Sequence, residues 1–517
     1  MSNEAAALLE DLARPEAYPP PLPTRVTLIT THISWVFLTD HEVWKLKRPV
    51  DYGFLDYTTV DRRRHFCQEE LRLNRRLAPD VYLDVEPVRQ DGGRYSFLAR
   101  GPIVDYAVRM RRLSDEASAE ALLGRGALTH ERLSRLASRL AAFYTTAASA
   151  PTFGSLDILR ANVDENFTQV QPFVGRFVAP DTFQTVRAWQ LGRLERDANE
   201  FERRRAQGRV REGHGDLRLE HVYFERAQPI IIDAIEFSER FRNGDVAADV
   251  AFLAMELDAR SHPDLAAHFL AAFAMDSDDY DLYAVIDFYL AYRAWVRAKV
   301  ACFLAADPSS GPEKAQRKAQ EARRLFALAR AYSEPHRTGR PVIAVGGLIG
   351  AGKSTLAEAL GRSLGLPVIA SDRTRKALAG VPAMQPAPAS AYSEAFSAQT
   401  YDELFRRAAV VLRSGRGVIL DATFRERDAR LRAQKLAHHH QRPFRFVEAI
   451  CDDATLRQRL RSRATSVAVS DATEDLLDQI RREFEPVTEL ANDEHLPVST
   501  TQPVATQVQT VRGTLRG

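Results

Sequence analysis

Alternating apolar and polar residues mark the beginning of the chain and predict β-strands. Residues 25–50 contain two such runs, RVTLITTHISWVFLTD and HEVWKLKRPV, separated by turn residues. An alternation with a period of two is typical of a strand that buries one face. Residues 62–78 change to helical periodicity, and residues 96–113 return to strand character. From about Glu116 the pattern is mostly helical apart from a short region around 214–237, so an α+β arrangement is predicted for this half.

The second half of the chain alternates between β-like and helical segments. Before it, residues 280–306 show a long, strongly apolar helical pattern, and the Pro, Gly and charged residues near 333–341 predict a linker. The β-like segments that follow are PVIAVGG, PVIAS, GVILDAT and FRFVEAIC. Their alternation with helical segments predicts a parallel sheet with helices on both faces. The Thr-, Val- and Gln-rich tail after Leu496 is interpreted as a last strand followed by a loose end.

A chain of 517 residues is too long for one ordinary hydrophobic core, so we predict two domains, residues 1–335 and residues 340–517. Hydrophobic residues at 45% and charged residues at 27% are typical of a soluble globular protein. The net charge of +2, from 71 basic and 69 acidic residues, gives no global electrostatic case for nucleic acid or an anionic membrane. The predicted fold class is α/β with two domains.

The three cysteines, Cys67, Cys302 and Cys451, are far apart and have no CxxC spacing. This usage argues against a disulfide framework or a zinc site and fits a reducing compartment. Residues 1–25 contain acidic residues and no long apolar run, which is unlike a signal peptide. No later stretch is long and apolar enough to span a bilayer. We therefore expect a cytoplasmic protein without membrane contact.

A glycine-rich segment, GGLIGAGKST, follows the first predicted strand of the second half and precedes a helix. Its spacing, Gly-x4-Gly-Lys-Ser, is that of a phosphate-binding loop, in which backbone N–H groups and a helix N-terminus face the phosphates of a nucleotide. Lys353 is predicted to reach the β- and γ-phosphates of ATP, and Ser354 to hold Mg²⁺. The predicted cofactor-binding residues here are Gly347, Leu348, Ile349, Gly350, Ala351, Gly352, Lys353, Ser354 and Thr355.

Two carboxylates come directly after strands of the predicted parallel sheet, at the edge where such sheets keep their sites. Asp372, in VIASDRTRK, is positioned to accept the proton of an attacking hydroxyl, although Ser371 or Asp372 also suits a helix N-cap. Arg375 is a candidate for orienting the acceptor or its phosphate. Asp421, in GVILDAT, suits a magnesium-bound water or, alternatively, a simple turn.

Two arginines in LRQRLRSRAT, Arg459 and Arg463, are four residues apart and therefore one helical turn apart. They are candidates for a lid that closes over the transferred phosphoryl group and neutralises its charge. A solvated basic helix face is the alternative.

On these motifs, residues of about 340–500 resemble the P-loop small-molecule kinases of the zeta-toxin, gluconate kinase and chloramphenicol phosphotransferase group. The resemblance implies an ATP- and Mg²⁺-dependent kinase with Asp372 and the arginines in catalytic roles. The Asp372-x-x-Arg375 arrangement also looks like that of polynucleotide 5′-kinases. A nucleic-acid acceptor therefore stays open, although the even charge balance does not favour it.

A second possible phosphotransferase site begins with HGDLRLEHV, residues 214–222. It precedes the apolar segment PIIIDAIEF, which contains Asp233. Two carboxylates at the ends of adjoining short strands can share one site, with Asp216 acting on the acceptor hydroxyl and Asp233 binding the metal that bridges the ATP phosphates. Downstream, the segment NGDVAADVAFLA supplies Asp245 and Asp249.

A lysine–glutamate pair that positions phosphates is also predicted for the first half. Lys45 and Lys47 alternate onto the same face of one strand, and Glu69 and Glu70 lie on the next helix. We favour Lys45 with Glu70, while Lys47 and Glu69 remain competitors.

This ordered set of strand Lys, helix Glu, HGD loop, IDxxE and GDxxxD resembles the aminoglycoside phosphotransferase family, over about residues 30–330. The resemblance implies a fold like that of protein kinases. The chain has Arg218 where that family usually has His, and His221 where it has the metal-binding Asn. Imidazole can ligate a metal, but Mg²⁺ prefers oxygen. Either Glu220 or Asp233 carries the ion, or the loop binds weakly, or the domain has lost transfer activity.

Helices after the catalytic core form the acceptor pocket in the resembled family. In FYLAYRAWVRAKV, Arg293 and Arg297 are placed to meet an anionic acceptor, or equally to form helix-face ion pairs. A basic pocket helix does not suit a polycationic aminoglycoside. A sugar, nucleoside or related metabolite is the expected acceptor.

The sequence therefore predicts a bifunctional kinase with two ATP–Mg²⁺ sites and small-molecule acceptors. A first alternative is a regulator, in which the first half senses a ligand and the second half is the only ATPase or kinase. A second alternative is a kinase for nucleic-acid 5′-hydroxyl groups.

Overall fold

The computed structural model of the chain describes residues 3–53, 55–334, 339–463 and 474–515. Its strands, in chain order, are β1 (Thr27–Thr30), β2 (Ser34–Leu38), β3 (Glu42–Lys47), β4 (Tyr82–Asp91), β5 (Arg94–Ser96), β6 (Ile103–Arg111), β7 (Val210–Glu212), β8 (Val222–Tyr223), β9 (Ile230–Ile231), β10 (Asn243–Asp245), β11 (Val342–Gly346), β12 (Val368–Ala370), β13 (Val418–Asp421), β14 (Phe444–Ile450) and β15 (His495–Ser499).

The α-helices, in chain order, are α1 (Asn3–Leu12), α2 (Val60–Asn74), α3 (Ala119–Gly124), α4 (His130–Thr146), α5 (Leu156–Val170), α6 (Pro180–Arg196), α7 (Ala198–Ala206), α8 (Glu239–Arg242), α9 (Val246–Ala259), α10 (Pro263–Asp276), α11 (Leu282–Ala306), α12 (Pro312–Ser333), α13 (Lys353–Leu364), α14 (Ser371–Leu378), α15 (Glu394–Arg413), α16 (Arg427–His439), α17 (Asp453–Arg463), α18 (Leu477–Glu483) and α19 (Val504–Thr514). Among the described residues, none of these helices is long and apolar enough to cross a membrane.

An antiparallel sheet with the strand order β1-β2-β3-β6-β4-β5 dominates the first compact unit, residues 1–159 and 201–256. The alternation predicted for β3 places Trp44 and Leu46 in one core, which includes residues of α1. Val43 points to the other face and packs in a second core with Cys67 of α2. Lys45 and Lys47 share the parity of Val43. The strand therefore directs both lysines toward α2.

Two short two-stranded antiparallel sheets, rather than long strands, carry the HGD segment of this unit. Strand β7 pairs antiparallel with β10, and β8 pairs antiparallel with β9. The HGD residues lie between β7 and β8, and Asp233 follows β9. Two loops that are separated along the chain are thereby brought together.

The second compact unit comprises residues 160–200 and 257–517. It contains an aromatic cluster in which Trp295 of α11 contacts Phe167, Phe183 and Phe326, with ring centroids 4.2, 5.9 and 4.7 Å away. Helices α10 to α12 thus belong to the same compact unit as the parallel sheet. The boundary between the two predicted domains, residues 1–335 and 340–517, stays a prediction. Residues 335–338 lie outside the described part of the chain.

The parallel sheet of the second unit has the strand order β12-β13-β11-β14-β15. Strand β11 is central. Strands β12 and β13 lie on one side of it, and β14 and β15 lie on the other side. In such sheets the switch point between the two sides opens a crevice beyond the carboxyl ends of the strands. The predicted α/β fold class, with an α+β first part and a parallel sheet in the second, is confirmed. The tail differs from the expected loose end, because it forms α19, whose Val508 and Val511 are buried in the core of the sheet.

Candidate active sites

The phosphate-binding loop connects β11 to α13 and requires glycine at its first position. Gly347 has φ 129°, and an added Cβ would lie 2.4 Å from the carbonyl oxygen of Ala449. Its N–H donates to the carbonyl of Thr423 at 3.0 Å. Gly352, with φ 87°, then leads directly into α13. The tight turn directs the N-terminus of α13 toward the crevice at the sheet edge, where a helix N-terminus favours an anionic group.

Lys353 and Ser354 begin α13 on the open side of the loop. The Lys353 Nζ donates to the carbonyl oxygen of Leu348 at 2.9 Å, so the side chain bends back across the loop. Ser354 donates a hydrogen bond to the carboxylate of Asp421. The structure thus brings together the predicted phosphate ligand and the two predicted magnesium ligands of this half.

The Asp421 carboxyl group is buried at the end of β13. Burial raises its pKa to about 6, and nearby Asp372 adds to the increase, while Lys353 and the Ser354 hydrogen bond oppose it. The carboxylate of Asp372 thus lies close enough to Asp421 to raise the pKa of Asp421, which places both carboxylates in one site. A buried carboxylate with a hydroxyl beside it fits Mg²⁺, which takes oxygen ligands and keeps several waters.

We expect Asp421→Asn to stabilise the unliganded protein at pH 8. The folded-state pKa of about 6 lies above the ordinary value of 3.8, so the ionised carboxylate destabilises the fold progressively as the pH rises through this window. A shift of roughly 2 pKa units corresponds to about 3 kcal/mol, which is the upper limit of the gain in the free energy of unfolding. Denaturant unfolding without nucleotide at pH 8 and pH 4 checks this, and an equal gain at both pH values would contradict it.

Asp372 lies in the first turn of α14, facing the Asp421 side of the site. The N-cap residue of α14 is Ala370, and no side-chain cap hydrogen bond is formed there, so neither Ser371 nor Asp372 is the N-cap residue. Arg375, one turn further, donates to Ser397 Oγ at 3.2 Å and lies 5.0 Å from the ring of Tyr392. Arg375 is therefore oriented by its neighbours, and the role of Asp372 toward an acceptor hydroxyl stays a prediction.

Arg459 of α17 lies against the phosphate loop, held by a residue that the sequence did not single out. Its Nη1 donates to Thr500 Oγ1 at 3.0 Å and its Nη2 donates to the Thr500 carbonyl at 2.8 Å. The Thr500 hydroxyl in turn donates to the carbonyl of Ala351 at 2.6 Å. A Cβ on Gly352 would lie 3.2 Å from Arg459 Nη1. The side chain of Arg463 lies outside the described part of the chain.

Thr500→Val is expected to weaken ATP binding at the loop by about 10-fold, because a hydrogen bond to a charged group contributes about 1.5–3 kcal/mol. The variant keeps the shape of the side chain but removes the bond from its hydroxyl to Ala351 and the bond from Arg459 Nη1, while the bond from Arg459 Nη2 to the Thr500 carbonyl stays. Titration with a fluorescent ATP analogue measures the effect, in a variant whose other site is disabled by Lys45→Ala. Thr501→Val, at an exposed neighbour, is the matched control. Equal affinities for the two variants would contradict the role of Thr500.

In the first unit, Lys45 connects the predicted glutamate and the predicted metal ligand. Its Nζ donates to Glu70 Oε1 at 2.9 Å and to Asp233 Oδ1 at 2.6 Å. Burial alone would raise the pKa of Asp233, but Lys45 and His221 lower it well below its usual range. Asp233 has φ 65°, a strained backbone conformation for a non-glycine residue that is often found at functional sites.

Lys47 also pairs with Glu70, but it lies in a buried network of charged and polar side chains. Its fully buried side chain pairs with Glu70 and Glu236, and Tyr57 donates to Glu236 at 2.6 Å. Glu69 instead pairs with Arg72 at the surface. The structure therefore presents the favoured pair, Lys45 and Glu70, next to Asp233, and its role in holding phosphates stays a prediction.

Asp249 fixes the backbone of the HGD loop. Its carboxylate accepts hydrogen bonds from the N–H groups of His214 at 2.6 Å and Gly215 at 2.9 Å. Tyr144 also donates to this carboxylate at 2.8 Å. The other downstream aspartate, Asp245, forms a buried pair with Arg204. Both downstream aspartates of the GDxxxD element are thus structural supports. No periodicity in the sequence indicates Tyr144 or Arg204 as their partners.

The two residues that depart from the resembled family both face Asp216. Arg218 Nη1 lies 3.9 Å from Asp216 Oδ2, and its Nε donates to Glu256 at 3.1 Å. His221 Nδ1 lies 2.9 Å from the Asp216 carbonyl, and His221 Nε2 lies 3.5 Å from Asp233 Oδ2. The structure thus brings the predicted catalytic and metal-binding residues of this half into one cluster.

The predicted acceptor arginines belong to the second compact unit. Arg293 is buried in α11, and Arg297 pairs with Glu321 of α12 at 3.5 Å. Arg297 therefore has the helix-face ion pair that was the alternative. A role for either arginine in binding an acceptor stays a prediction.

The family model described as an AAA domain matches residues 342–487. The match confirms the predicted P-loop domain and covers the phosphate loop, Asp372, Asp421 and Arg459.

Among proteins similar in sequence, the uncharacterized protein Rv2004c of Mycobacterium tuberculosis (strain H37Rv) is 32% identical over 422 residues, which cover 79% of this chain and 80% of that protein. Among solved structures, a choline/ethanolamine kinase family protein from Mesorhizobium loti is 13% identical, covers 64% of this chain and 98% of its own, and has a TM-score of 0.38. A gluconokinase from Sinorhizobium meliloti 1021 is 21% identical, covers 35% of this chain and 94% of its own, and has a TM-score of 0.27.

Proposed function

This chain belongs to the family of the mycobacterial protein Rv2004c, and because that relationship extends over 422 residues and so includes parts of both predicted domains, we propose a tandem phosphotransferase. Each domain binds ATP and transfers the γ-phosphoryl group to a hydroxyl group of a small molecule. A sugar, a nucleoside or a related metabolite is the proposed acceptor class. The protein acts in the cytoplasm, a reducing compartment that its cysteine usage fits.

The observation that carries the proposal is the convergence of Lys353, Ser354, Asp421 and Asp372 beside a glycine-rich turn. Ser354 and Asp421 would hold Mg²⁺, which supplies charge neutralisation for the ATP phosphates. Lys353 binds the β- and γ-phosphates and stabilises the charge of the transferred group. Asp372 orients the acceptor hydroxyl and takes its proton.

In the amino-terminal site, different residues take the same two roles of binding the phosphates and activating the acceptor. Lys45, fixed by Glu70, faces the phosphates, and Asp216 faces the acceptor hydroxyl. Transfer in both sites depends on holding two reactants in line and on fixed charges, because the protein forms no covalent intermediate in this scheme.

One observation favours a regulatory role for the first half. The Arg218 guanidinium lies 3.9 Å from the Asp216 carboxylate and is in the loop that would carry the base. A fixed positive charge thus lies beside the proposed general base, at the place that an acceptor hydroxyl would have to approach. In this second candidate function, the first half binds a ligand and modulates the one kinase in the second half.

A labelling screen tests the proposal. The full chain is incubated with γ-³²P-ATP, Mg²⁺ or Mn²⁺, and a panel of sugars, sugar acids, nucleosides and 5′-hydroxyl oligonucleotides. We expect label on at least one small molecule. Label on the oligonucleotides alone, with an affinity that falls steeply with salt, would favour the nucleic-acid kinase instead. Release of inorganic phosphate with no labelled acceptor would refute phosphoryl transfer to these classes.

A further inference from the structure

An imidazole occupies the place where the resembled family offers an oxygen ligand to the metal of the nucleotide. Magnesium is the ion that the family implies for the amino-terminal site, and it takes oxygen ligands in near-ideal octahedral geometry. Here the side chain nearest to Asp233 Oδ2 in the HGD loop is His221, whose Nε2 lies 3.5 Å away. The donor set of this site therefore does not fit Mg²⁺ as well as that of Ser354 and Asp421 does.

The hydrogen bonds of His221 fix which of its nitrogens can bind a metal. Its Nδ1 lies 2.9 Å from the carbonyl oxygen of Asp216. A carbonyl oxygen only accepts, so Nδ1 must carry the proton and donate it. In the neutral ring, Nε2 then has a free lone pair. Histidine ligands in proteins are commonly fixed in this way, with the other ring nitrogen donating to a backbone carbonyl or a carboxylate.

The ring is also held in position by its surroundings. The His221 side chain is 10% exposed, and its ring is stacked on that of His214 with centroids 5.9 Å apart. His214 is itself anchored, since its Nε2 donates to the carbonyl of Ile232 at 2.8 Å. Turning the imidazole away from Asp233 would break the bond to Asp216 and the stacking, so Nε2 is a preorganised ligand.

The competing oxygen atoms around His221 are mostly engaged. Glu220 pairs with Arg218, and Asp233 Oδ1 accepts from Lys45 at 2.6 Å. Two carboxylate oxygens lie next to Nε2, namely Glu220 Oε1 at 3.6 Å, which is the oxygen that pairs with Arg218, and Asp233 Oδ2 at 3.5 Å. The separation of 3.5 Å between Nε2 and Asp233 Oδ2 can be bridged by one ion, because metal–nitrogen and metal–oxygen bonds of about 2.0–2.2 Å are typical.

Two protein ligands suffice for an ion that arrives with a nucleotide, whose phosphate oxygens and waters complete the coordination. Among the residues that the structure describes, no group of three or more His, Cys, Asp or Glu side chains is arranged to hold an ion.

We propose that the amino-terminal nucleotide site uses a nitrogen-accepting divalent ion of the Mn²⁺ class in preference to Mg²⁺, with His221 Nε2 and Asp233 Oδ2 as its protein ligands. The inference rests on the proposed function, since it requires that this site binds a nucleotide. Its physical basis is that imidazole is a ligand for first-row transition ions, among which Mn²⁺ binds a nitrogen-containing site most weakly, whereas Mg²⁺ takes oxygen ligands and keeps several waters. The two ATP sites of one chain then differ in their metal.

Spectroscopy of bound Mn²⁺ tests the ligand directly and does not depend on activity. The full chain carrying Lys353→Ala, which disables the other site, is loaded with Mn²⁺ and a non-hydrolysable ATP analogue. Pulsed EPR is expected to show ¹⁴N hyperfine coupling from one imidazole, which changes to ¹⁵N coupling when the protein is labelled with ¹⁵N-histidine. The coupling should vanish in His221→Asn and persist in the control His438→Asn, whose side chain is 58% exposed.

Binding of the same analogue provides the second measurement. We expect affinity at least about 10-fold higher with Mn²⁺ than with Mg²⁺, a preference that falls to within about threefold in His221→Asn, since changes near metal ligands typically alter affinity 10- to 100-fold. Equal affinity with both ions, or ¹⁴N coupling that survives His221→Asn, would overturn the metal assignment and leave the nucleotide site standing. No binding with either ion would overturn the amino-terminal nucleotide site itself, and this proposal with it. Melting curves of the variants confirm that each is folded.

Discussion

Lys353→Ala is expected to lower phosphoryl transfer by the carboxy-terminal site by about 10³-fold or more, equivalent to roughly 4 kcal/mol of lost transition-state stabilisation. Lys353 is the cation at the open side of the phosphate loop, where its Nζ already lies 2.9 Å from the Leu348 carbonyl. It also opposes the effect of burial on the pKa of Asp421. Its loss therefore weakens both the hold on the γ-phosphate and the ionisation of the proposed magnesium ligand.

The measurement is the initial rate of label transfer to an acceptor found in the screen. Lys435→Ala, which removes an exposed lysine from α16 in the same compact unit, is the matched control and should leave the rate unchanged. Lys353→Arg keeps the charge but not the shape of the ammonium group, and we expect it to restore only a small part of the activity. A rate within threefold of the wild type in Lys353→Ala would show that the loop is not the site of transfer.

The phosphate loop was predictable because its chemistry lies in one contiguous segment. The glycine spacing, the strand before it and the helix after it are all local, and φ 129° at Gly347 bears out why glycine stands there. The position of Asp421 at a strand end was likewise predictable, because parallel strands end at a common edge. Its raised pKa was not, because that depends on burial and on the approach of Asp372.

The lysine–glutamate pair shows where a local pattern stops being sufficient. Period-two alternation places Lys45 and Lys47 on one face, and Glu70 accepts from both of them. What distinguishes the two lysines is Asp233, which is 188 residues further along the chain and reaches only Lys45. A long-range contact of this kind leaves no signal in the spacing of residues.

Tertiary partners also explain the parts of the second unit that the sequence did not predict. Arg459 was a candidate lid residue, but its position is set by Thr500, 41 residues later. Helix α15 is tied to the segment before α11 by the pair of Arg407 with Asp278, and Tyr280 donates to the carbonyl of Val368 at 2.6 Å. The linker predicted near 333–341 concerns only the order of segments along the chain, and such a signal cannot show which helices pack together in space.

Asp216→Asn is expected to reduce transfer by the amino-terminal site by about 10²–10⁴-fold, the usual contribution of a positioned general base. The substitution keeps the backbone carbonyl that accepts from His221, and it keeps the shape of the side chain, which is 29% exposed. The fold and the binding of nucleotide should therefore persist, so that the loss appears in kcat rather than in KM for ATP. Label transfer to each acceptor of the screen is the measurement, with Asp61→Asn at an exposed position of α2 as the control.

Comparison with Lys353→Ala separates the two functions. In a tandem kinase, Asp216→Asn abolishes labelling of one acceptor and Lys353→Ala abolishes labelling of another, because each variant leaves the other site intact. If Asp216→Asn changes nothing with any acceptor while Lys353→Ala removes all turnover, the first half is a regulator. The Arg218→Ala variant then tests whether Arg218 is the cause of the missing transfer in the first half. Removing the cation 3.9 Å from Asp216 should raise transfer in an active but restrained site, and should leave it at zero in a site that has lost its chemistry.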